Sequence, residues 1–373
     1  MKLTITKDLL SAAIQRAHGA VTERSLSQIA LKAVQDQNLL TVAATDRILA
    51  VYSSLECEVS EGGIAFLPGK LFSDVVRQLP DGQVSITSAG AFVRVEAASG
   101  FVMKIPLIDD ITWKDAPKIE SSNRAQIPCA QLNYMIEQVQ FCIEMDSARN
   151  YGAVGYLHRA EDRKLRLVGT DGFRLSYCDV KIDLPEEFLR AGICLSKRGL
   201  VELNRICGEG FEFVSLTITS DNTTLLAEVG NYQLYLRLST IKYPNYRGVL
   251  PSSNLHPIKF SRQSLQSVTR RVMLAADKNN ALRITFSDGA LSMSSRSAGS
   301  SESHETLPNQ GYKGSRTDLA INGKYLADVF SNIKSEEVTL QFKTEDDPII
   351  IIPREEPFEC RSVHVLVPIR ENA

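Results

Sequence analysis

The chain has 373 residues, of which 43% are hydrophobic and 23% charged, and its 42 basic and 44 acidic side chains give a net charge of −2. That balance excludes wholesale disorder and a surface coated in basic residues for nucleic acid. No run approaches the ~20 apolar residues of a membrane helix, and Met1-Lys2-Leu3-Thr4-Ile5 lacks the apolar core of a secretory signal, so a cytoplasmic, non-membrane protein is expected. Seven scattered cysteines without a CxxC pair point to reduced thiols rather than a zinc ribbon or disulfide framework.

The chain opens with a helix-like stretch over 6–17 and the alternating run Leu40-Thr41-Val42-Ala43-Ala44-Thr45-Asp46. A helical segment from Lys70 to Leu79 follows, then strand-like runs at Gln83-Val84-Ser85-Ile86 and Phe92-Val93-Arg94-Val95-Glu96. The polar, breaker-rich stretch 117–124 reads as a linker. The same order then returns. Helix 130–140 precedes Leu165-Arg166-Leu167-Val168-Gly169-Thr170-Asp171, a shift of 125 residues from the first such run. A helix from Arg198 to Cys207 and strand-like runs at 214–218 and 234–238 complete the second copy. Pro251-Ser252-Ser253-Asn254 reads as a second linker. The third copy has helix 261–272, the run Leu291-Ser292-Met293-Ser294 without its Thr-Asp, a helix from Lys324 to Ile333 and a strand at 338–342. The second helix of every copy starts basic, carries an acid at its fifth position (Asp74, Glu202, Asp328) and is apolar at positions three, six and ten. One α+β domain is therefore expected three times, over 1–122, 123–251 and 252–373.

Charge is divided between the elements. The six expected helices carry a net +6, leaving −8 for the rest. Lys70 and Arg77, like Arg198 and Arg205, are seven residues apart and share a helix face. Helices lining one concave surface would draw phosphates there while the outside repelled them.

Catalytic signatures are absent: the sequence has no P-loop, GxGxxG, HExxH or GxSxG, and its five histidines lack metal-ligand spacing. No cofactor or metal is expected. Asp171 before Gly172, between two alternating runs, reads as a hairpin turn rather than a catalytic acid.

With the repeats in view, three runs carry a resemblance over essentially the whole chain. They are Val168-Gly169-Thr170-Asp171-Gly172-Phe173-Arg174-Leu175, Tyr243-Pro244-Asn245-Tyr246-Arg247-Gly248-Val249-Leu250-Pro251 and Val367-Pro368-Ile369-Arg370. In these the chain resembles the bacterial DNA polymerase sliding clamps, the beta subunits of the replicative DNA polymerase III. The resemblance implies three clamp domains per chain and a head-to-tail homodimeric ring, with helices inside and sheets outside. It implies a non-enzymatic processivity factor for DNA replication that encircles double-stranded DNA without sequence preference. The implied DNA-facing residues are Arg24, Lys70, Arg77, Lys197, Arg198, Arg205, Lys242 and Arg283, with Tyr151 matching an aromatic loop residue near DNA. A cleft for short motifs of the replicative polymerase, the clamp loader and repair proteins is implied at Thr170, Gly172, Phe173, Arg174, Leu175, Pro244, Arg247, Val249, Val365, Val367, Pro368, Ile369 and Arg370. Phe173 stands where the family often has histidine, Asn279 where an aromatic occurs, and Glu371-Asn372-Ala373 extend the usual end, so the peptide preference is expected to differ. The expected dimer seam uses Phe101, Met103, Met273 and Leu274, with Glu302 and Glu305 near bases such as Lys104. The alternatives are a protein-binding repeat scaffold without encirclement and an enzyme with a site around Asp171.

Overall fold

The computed structural model describes residues 1–21, 28–46, 48–109, 111–145, 150–250, 256–297, 299, 301–308, 311–312 and 314–369. Arg24, the 251–254 linker, Arg370 and the 371–373 extension lie outside the described residues.

The first copy contains β1 (Lys2–Thr6), α1 (Lys7–His18), β2 (Gln28–Val34), β3 (Leu39–Thr45), β4 (Leu49–Glu56), β5 (Glu58–Glu61), β6 (Gly63–Pro68), α2 (Gly69–Gln78), β7 (Gln83–Ala89), β8 (Phe92–Ala97) and β9 (Val102–Pro106). The second contains β10 (Arg124–Pro128), α3 (Cys129–Val139), β11 (Val154–Ala160), β12 (Lys164–Thr170), β13 (Arg174–Lys181), β14 (Ile193–Ser196), α4 (Lys197–Cys207), β15 (Phe213–Ile218), β16 (Thr224–Val229) and β17 (Tyr232–Arg237). The third contains β18 (His256–Ser261), α5 (Arg262–Val272), β19 (Ala281–Ser287), β20 (Ala290–Arg296), β21 (Glu302–Pro308), β22 (Thr317–Asn322), α6 (Gly323–Asn332), β23 (Glu337–Phe342), β24 (Ile349–Pro353) and β25 (Arg361–Leu366). Among the described residues each copy has one strand before its first helix and three after its second; between the helices the second and third copies have four strands and the first has five, β5 being the addition. The six helices fall within two residues of their expected limits.

Local chemistry explains these elements. In α2, Phe72, Val75 and Val76 recur at helical spacing and are buried. The Asn322 side chain caps α6 by accepting from the backbone N–H of Lys324 (3.0 Å) and Tyr325 (3.3 Å), and Ser261 caps α5 through Ser264 N–H at 3.3 Å. Strand β4 alternates buried and half-buried residues from Leu49 to Leu55 and ends on the exposed Glu56.

By internal packing the chain forms two compact units. The first comprises Met1–Cys129, Pro185–Phe188 and Glu202–Leu238; the second comprises Ala130–Leu184, Leu189–Val201 and Ser239–Ala373. The first unit holds a five-stranded sheet, β5-β1-β7-β8-β9, and an eight-stranded sheet, β10-β15-β16-β17-β4-β3-β2-β6. The second holds an eight-stranded sheet, β14-β11-β12-β13-β25-β24-β23-β18, and a four-stranded sheet, β21-β20-β19-β22. Packing cuts through the middle copy because its strands continue into sheets of both neighbours. β17 pairs antiparallel with β4, and β25 with β13. In the second unit the core gathers Leu265, Val268 and Val272 of α5, Val329 and Phe330 of α6, and Leu282, Ile284 and Phe286 of β19.

Gly169 shows how tightly the second copy is packed. A Cβ there would stand 2.7 Å from Ile143 Cγ1 and 2.8 Å from Val139 Cγ1. The first copy carries Ala44 at the matching position. Gly169→Ala should cost about 1–3 kcal/mol, read as a lower urea midpoint at unchanged slope.

Candidate peptide cleft and charged helix faces

The turn between β12 and β13 builds one wall of a cleft. Asp171 Oδ1 accepts from the backbone N–H groups of Phe173 (2.9 Å) and Arg174 (3.0 Å). The Thr170 hydroxyl donates to the Arg174 carbonyl at 2.6 Å and accepts from Gly172 N–H at 3.0 Å. Gly172 has φ +90°, which a side chain would strain. Asp171 is buried and committed to this turn and to Arg174 Nε at 2.9 Å, so the expected hairpin is present and the carboxylate serves structure. Arg174 also donates to Asp328 (2.7 Å) and to the Phe141 carbonyl (2.7 Å), and its guanidinium lies 4.2 Å from the Tyr325 ring centroid.

Strand β25 supplies the second wall. Leu175 faces Val365 across the β13–β25 ladder, and Val367 N–H donates to the Phe173 carbonyl at 3.0 Å. Between the walls opens a cleft of about 180 Å³. Thr170, Gly172, Arg174, Leu175, Pro244, Val249, Val365 and Val367, all expected from sequence, line it. Tyr151, Asn245 and Tyr246 line it as well. Asn245 and Tyr246 belong to the 243–251 run, and Tyr151 is the residue that the resemblance matches to an aromatic loop position near DNA. Phe173 is 52% exposed but does not line the cleft. Arg247 is exposed, 3.6 Å from Glu161. Pro368 and Ile369 instead line a separate hollow of about 500 Å³, which shares only Val367 with the cleft.

A polar and aromatic layer stiffens the floor. The Tyr246 hydroxyl accepts from Arg166 at 3.3 Å and is hydrogen-bonded to His158 Nε2 at 3.0 Å. Arg166 is held by both Asp179 oxygens, at 2.5 and 2.6 Å. Tyr156 stacks between His158 (4.7 Å) and Tyr243 (5.0 Å). On the other face of the β13–β25 ladder, Ser176 Oγ is hydrogen-bonded to His364 Nδ1 at 2.9 Å and to Cys142 Sγ at 3.0 Å. This chain superficially resembles a nucleophile–base pair, but all three groups are buried. Burial pushes the Cys142 thiol up to about 12 and the His364 imidazole down to about 3, so neither suits nucleophilic or base work at neutral pH.

Several helix-borne cations are matched by acids. Lys7 pairs with Asp81 (2.8 Å), Arg16 with Glu209 (2.7 Å) and Arg77 with Asp74 (3.3 Å). Arg205 pairs with Glu202 (2.9 Å) and Glu209 (3.2 Å), and Arg271 with Glu305 (2.6 Å). Lys197 is half-buried, and burial followed by the nearby Arg174 charge lowers its pKa. Arg198 is on α4, and Lys242 is exposed in the segment after β17. Lys70 is exposed with no acid partner among the described residues; so are Arg270 and Lys324, which the sequence reading did not single out. Arg283 differs from the helix cations. Its neighbours Leu282 and Ile284 point into the core beneath α5 and α6, so strand alternation puts Arg283 on the opposite sheet face. There it lines the hollow with Asp318 and Ile369.

The residues expected at a dimer seam lie in separate parts of the chain. Phe101 is 40% exposed just before β9, and Met103 is half-buried within it. β9 is an edge strand of its sheet, as is β21 of its own. Leu274 is 87% exposed, while Met273 is half-buried against the third-copy core. Glu302 opens β21, and Glu305 in the same strand is already engaged by Arg271. Among the described residues no cluster of metal-ligating side chains occurs and no helix is long and apolar enough to cross a membrane.

His364 offers a direct check of the buried layer. Its folded pKa lies below the unfolded value of about 6.5, so the unfolded chain binds the extra proton and stability falls as pH drops from about 6.5 toward 3. The stability advantage of the native protein over His364→Gln should shrink by about 1.4 kcal/mol per pH unit in that window, measured by urea melts.

Comparison with known proteins identifies the family. Family models match in succession: the DNA polymerase III beta subunit N-terminal domain at 1–110, its central domain at 126–245 and its C-terminal domain at 247–370. The beta sliding clamp of Proteus mirabilis is 28% identical, over 99% of this chain and 100% of that protein. That of Escherichia coli K12 is 25% identical over the same shares. Among solved structures, a sliding clamp (DNA polymerase III subunit beta) from Bartonella birtlesii, determined bound to griselimycin, has a TM-score of 0.91 at 22% identity, covering 100% of both chains. Three consecutive domain matches over nearly the full length place the chain in the DNA polymerase III beta subunit family.

Proposed function

We propose that this protein is a DNA sliding clamp, a non-enzymatic processivity factor for the replicative polymerase. The single observation that carries the reading is the succession of three family domains over nearly the whole chain. The domains run over 1–122, 123–251 and 252–373, and two copies close head to tail around double-stranded DNA. Retention is topological, so phosphate contacts need only be weak and non-specific. The pairing of Arg77 and Arg205 with acids supports this, because a strongly cationic bore would brake sliding. Lys70, Arg77, Lys197, Arg198, Arg205 and Lys242, with Arg24, are the proposed DNA-facing set; Arg283 leaves it because of its sheet face. The protein works in the cytoplasm at the replication machinery.

The cleft at Leu175, Val249, Val365 and Val367 is the proposed dock for extended peptides of the polymerase, the clamp loader and repair proteins. Apolar anchors would fill the cleft, with polar groups such as Thr170 and Asn245 orienting the chain. β9 and β21 provide free edges for the seam, with Phe101, Met103 and Leu274 covering them.

Loaded onto nicked circular DNA, the protein should stay bound through gel filtration and run off once the circle is linearised; equal retention on circles and linear DNA would favour a surface-binding scaffold. Val367→Glu should weaken binding of a glutamine-plus-apolar clamp-motif peptide by at least tenfold while leaving the melting temperature within about 2 °C. At the seam, Leu274→Asp should shift the dimer toward monomer in sedimentation velocity, and an unchanged dimer would remove Leu274 from the interface.

A further inference from the structure

We propose a second docking cleft, in the first compact unit, that takes an extended acidic segment of a partner protein; the inference rests on reading the first cleft as a peptide site. The internal repeat supplies the correspondence. Thr45 and Asp46 stand 125 residues before Thr170 and Asp171, and Ala50 stands 125 before Leu175. The turns are built alike: Asp46 Oδ1 accepts from the N–H groups of Ile48 (2.7 Å) and Leu49 (2.8 Å), as Asp171 Oδ1 does from Phe173 and Arg174. The second walls also match. Tyr235 of β17 lies opposite Ala50 of β4, as Val365 of β25 lies opposite Leu175 of β13. At this place the first unit opens a hollow of about 580 Å³.

Its chemistry differs from that of the first cleft. Tyr52 and Tyr235 meet edge to face at 5.7 Å, and their hydroxyls donate to the carbonyls of Lys114 (3.3 Å) and Pro117 (2.9 Å), pinning that wall. Ile48 is 40% exposed at the rim. In the first cleft the lining cation, Arg174, is neutralised by Asp171 and Asp328. In the second, Asp115 is held by Lys32 (2.5 Å) and Trp113 (2.7 Å), whereas Lys114 and Arg237 are exposed with no acid partner among the described residues. An aromatic floor with two open cations is complementary to a peptide carrying carboxylates beside an apolar anchor. Asp46 and Asp115 confine the cationic stretch to Lys114 and Arg237, which matches one or two spaced carboxylates and is too short for the continuous charge of a nucleic-acid backbone.

The test uses the full-length protein and a fluorescein-labelled ten-residue peptide in which glutamates flank a leucine–phenylalanine pair, read by fluorescence anisotropy. Saturable binding is expected, weakened at least tenfold by Lys114→Glu with Arg237→Glu and unchanged by Val367→Glu. The neutral glutamine-plus-apolar peptide should show the reverse pattern. Lys114→Ala with Arg237→Gln, expected to weaken the acidic peptide at least threefold, keeps the test decisive should the charge reversals disturb folding. Absence of saturable binding, loss of it on Val367→Glu, equal binding of a lysine-for-glutamate peptide, or displacement by a duplex oligonucleotide would overturn the inference. If the neutral peptide binds the first cleft and the acidic one binds nowhere, the second cleft fails and the first stands; if the neutral peptide fails as well, the reading of the first cleft falls with it.

Discussion

Antiparallel pairing of β13 with β25, mirrored by β4 with β17, is the constraint on which the functional surfaces depend. Each pairing joins strands from different sequence repeats through backbone hydrogen bonds. Unpaired, these strands would present open edges to solvent and to other chains. Paired, they set two cleft walls at fixed register, because a one-residue slip would turn Leu175 and Val365 to the opposite sheet face. The same continuity explains why packing resolves two units where the sequence repeats three times.

Behind the first cleft the protein has placed polarity where hydrophobic packing would be simpler. Arg174 is fixed by two carboxylates, a carbonyl and two aromatic rings. Removing Asp171, the buried member of the set, would leave the backbone N–H groups of Phe173 and Arg174 without their acceptor. The set therefore acts as a rigid backing for the Thr170–Leu175 turn. A shallow cleft with pre-ordered walls loses little entropy on binding a short peptide, which offsets its small contact area.

The helix charges support the proposed mode of DNA retention through their moderation. Intramolecular acids cover Lys7, Arg16, Arg77, Arg205 and Arg271. Exposed pairs such as Lys7–Asp81 and Arg271–Glu305 contribute little to stability. They do lower the local positive potential, and a closed ring needs no more than weak attraction to hold DNA.

Much of this was legible in the chain. The helices were readable because apolar residues at helical spacing, as in Phe72, Val75 and Val76, reflect a local constraint. The Thr-Asp-Gly turn was readable because Asp171 bonds to backbone only two and three residues away. Most of the cleft was readable through the three runs that carry the family resemblance. Other features depended on distant partners. Whether Arg205 meets the Arg16 backbone, and whether Asp328 ends beside Arg174, follows from chain segments up to 189 residues apart. Arg283 read as one cation among several until β19 took its place over the third-copy core, where alternation fixed its face. The second cleft was present in the sequence as the repeated Thr45-Asp46, but only the pairing of β17 with β4 gave it a floor and left Lys114 and Arg237 beside it. The sequence by itself determined the local periodicities, the turn chemistry and the threefold repeat, because these rest on neighbours along the chain. Tertiary structure decided which strands share a ladder and which charges meet, because those contacts exist only after distant segments have packed.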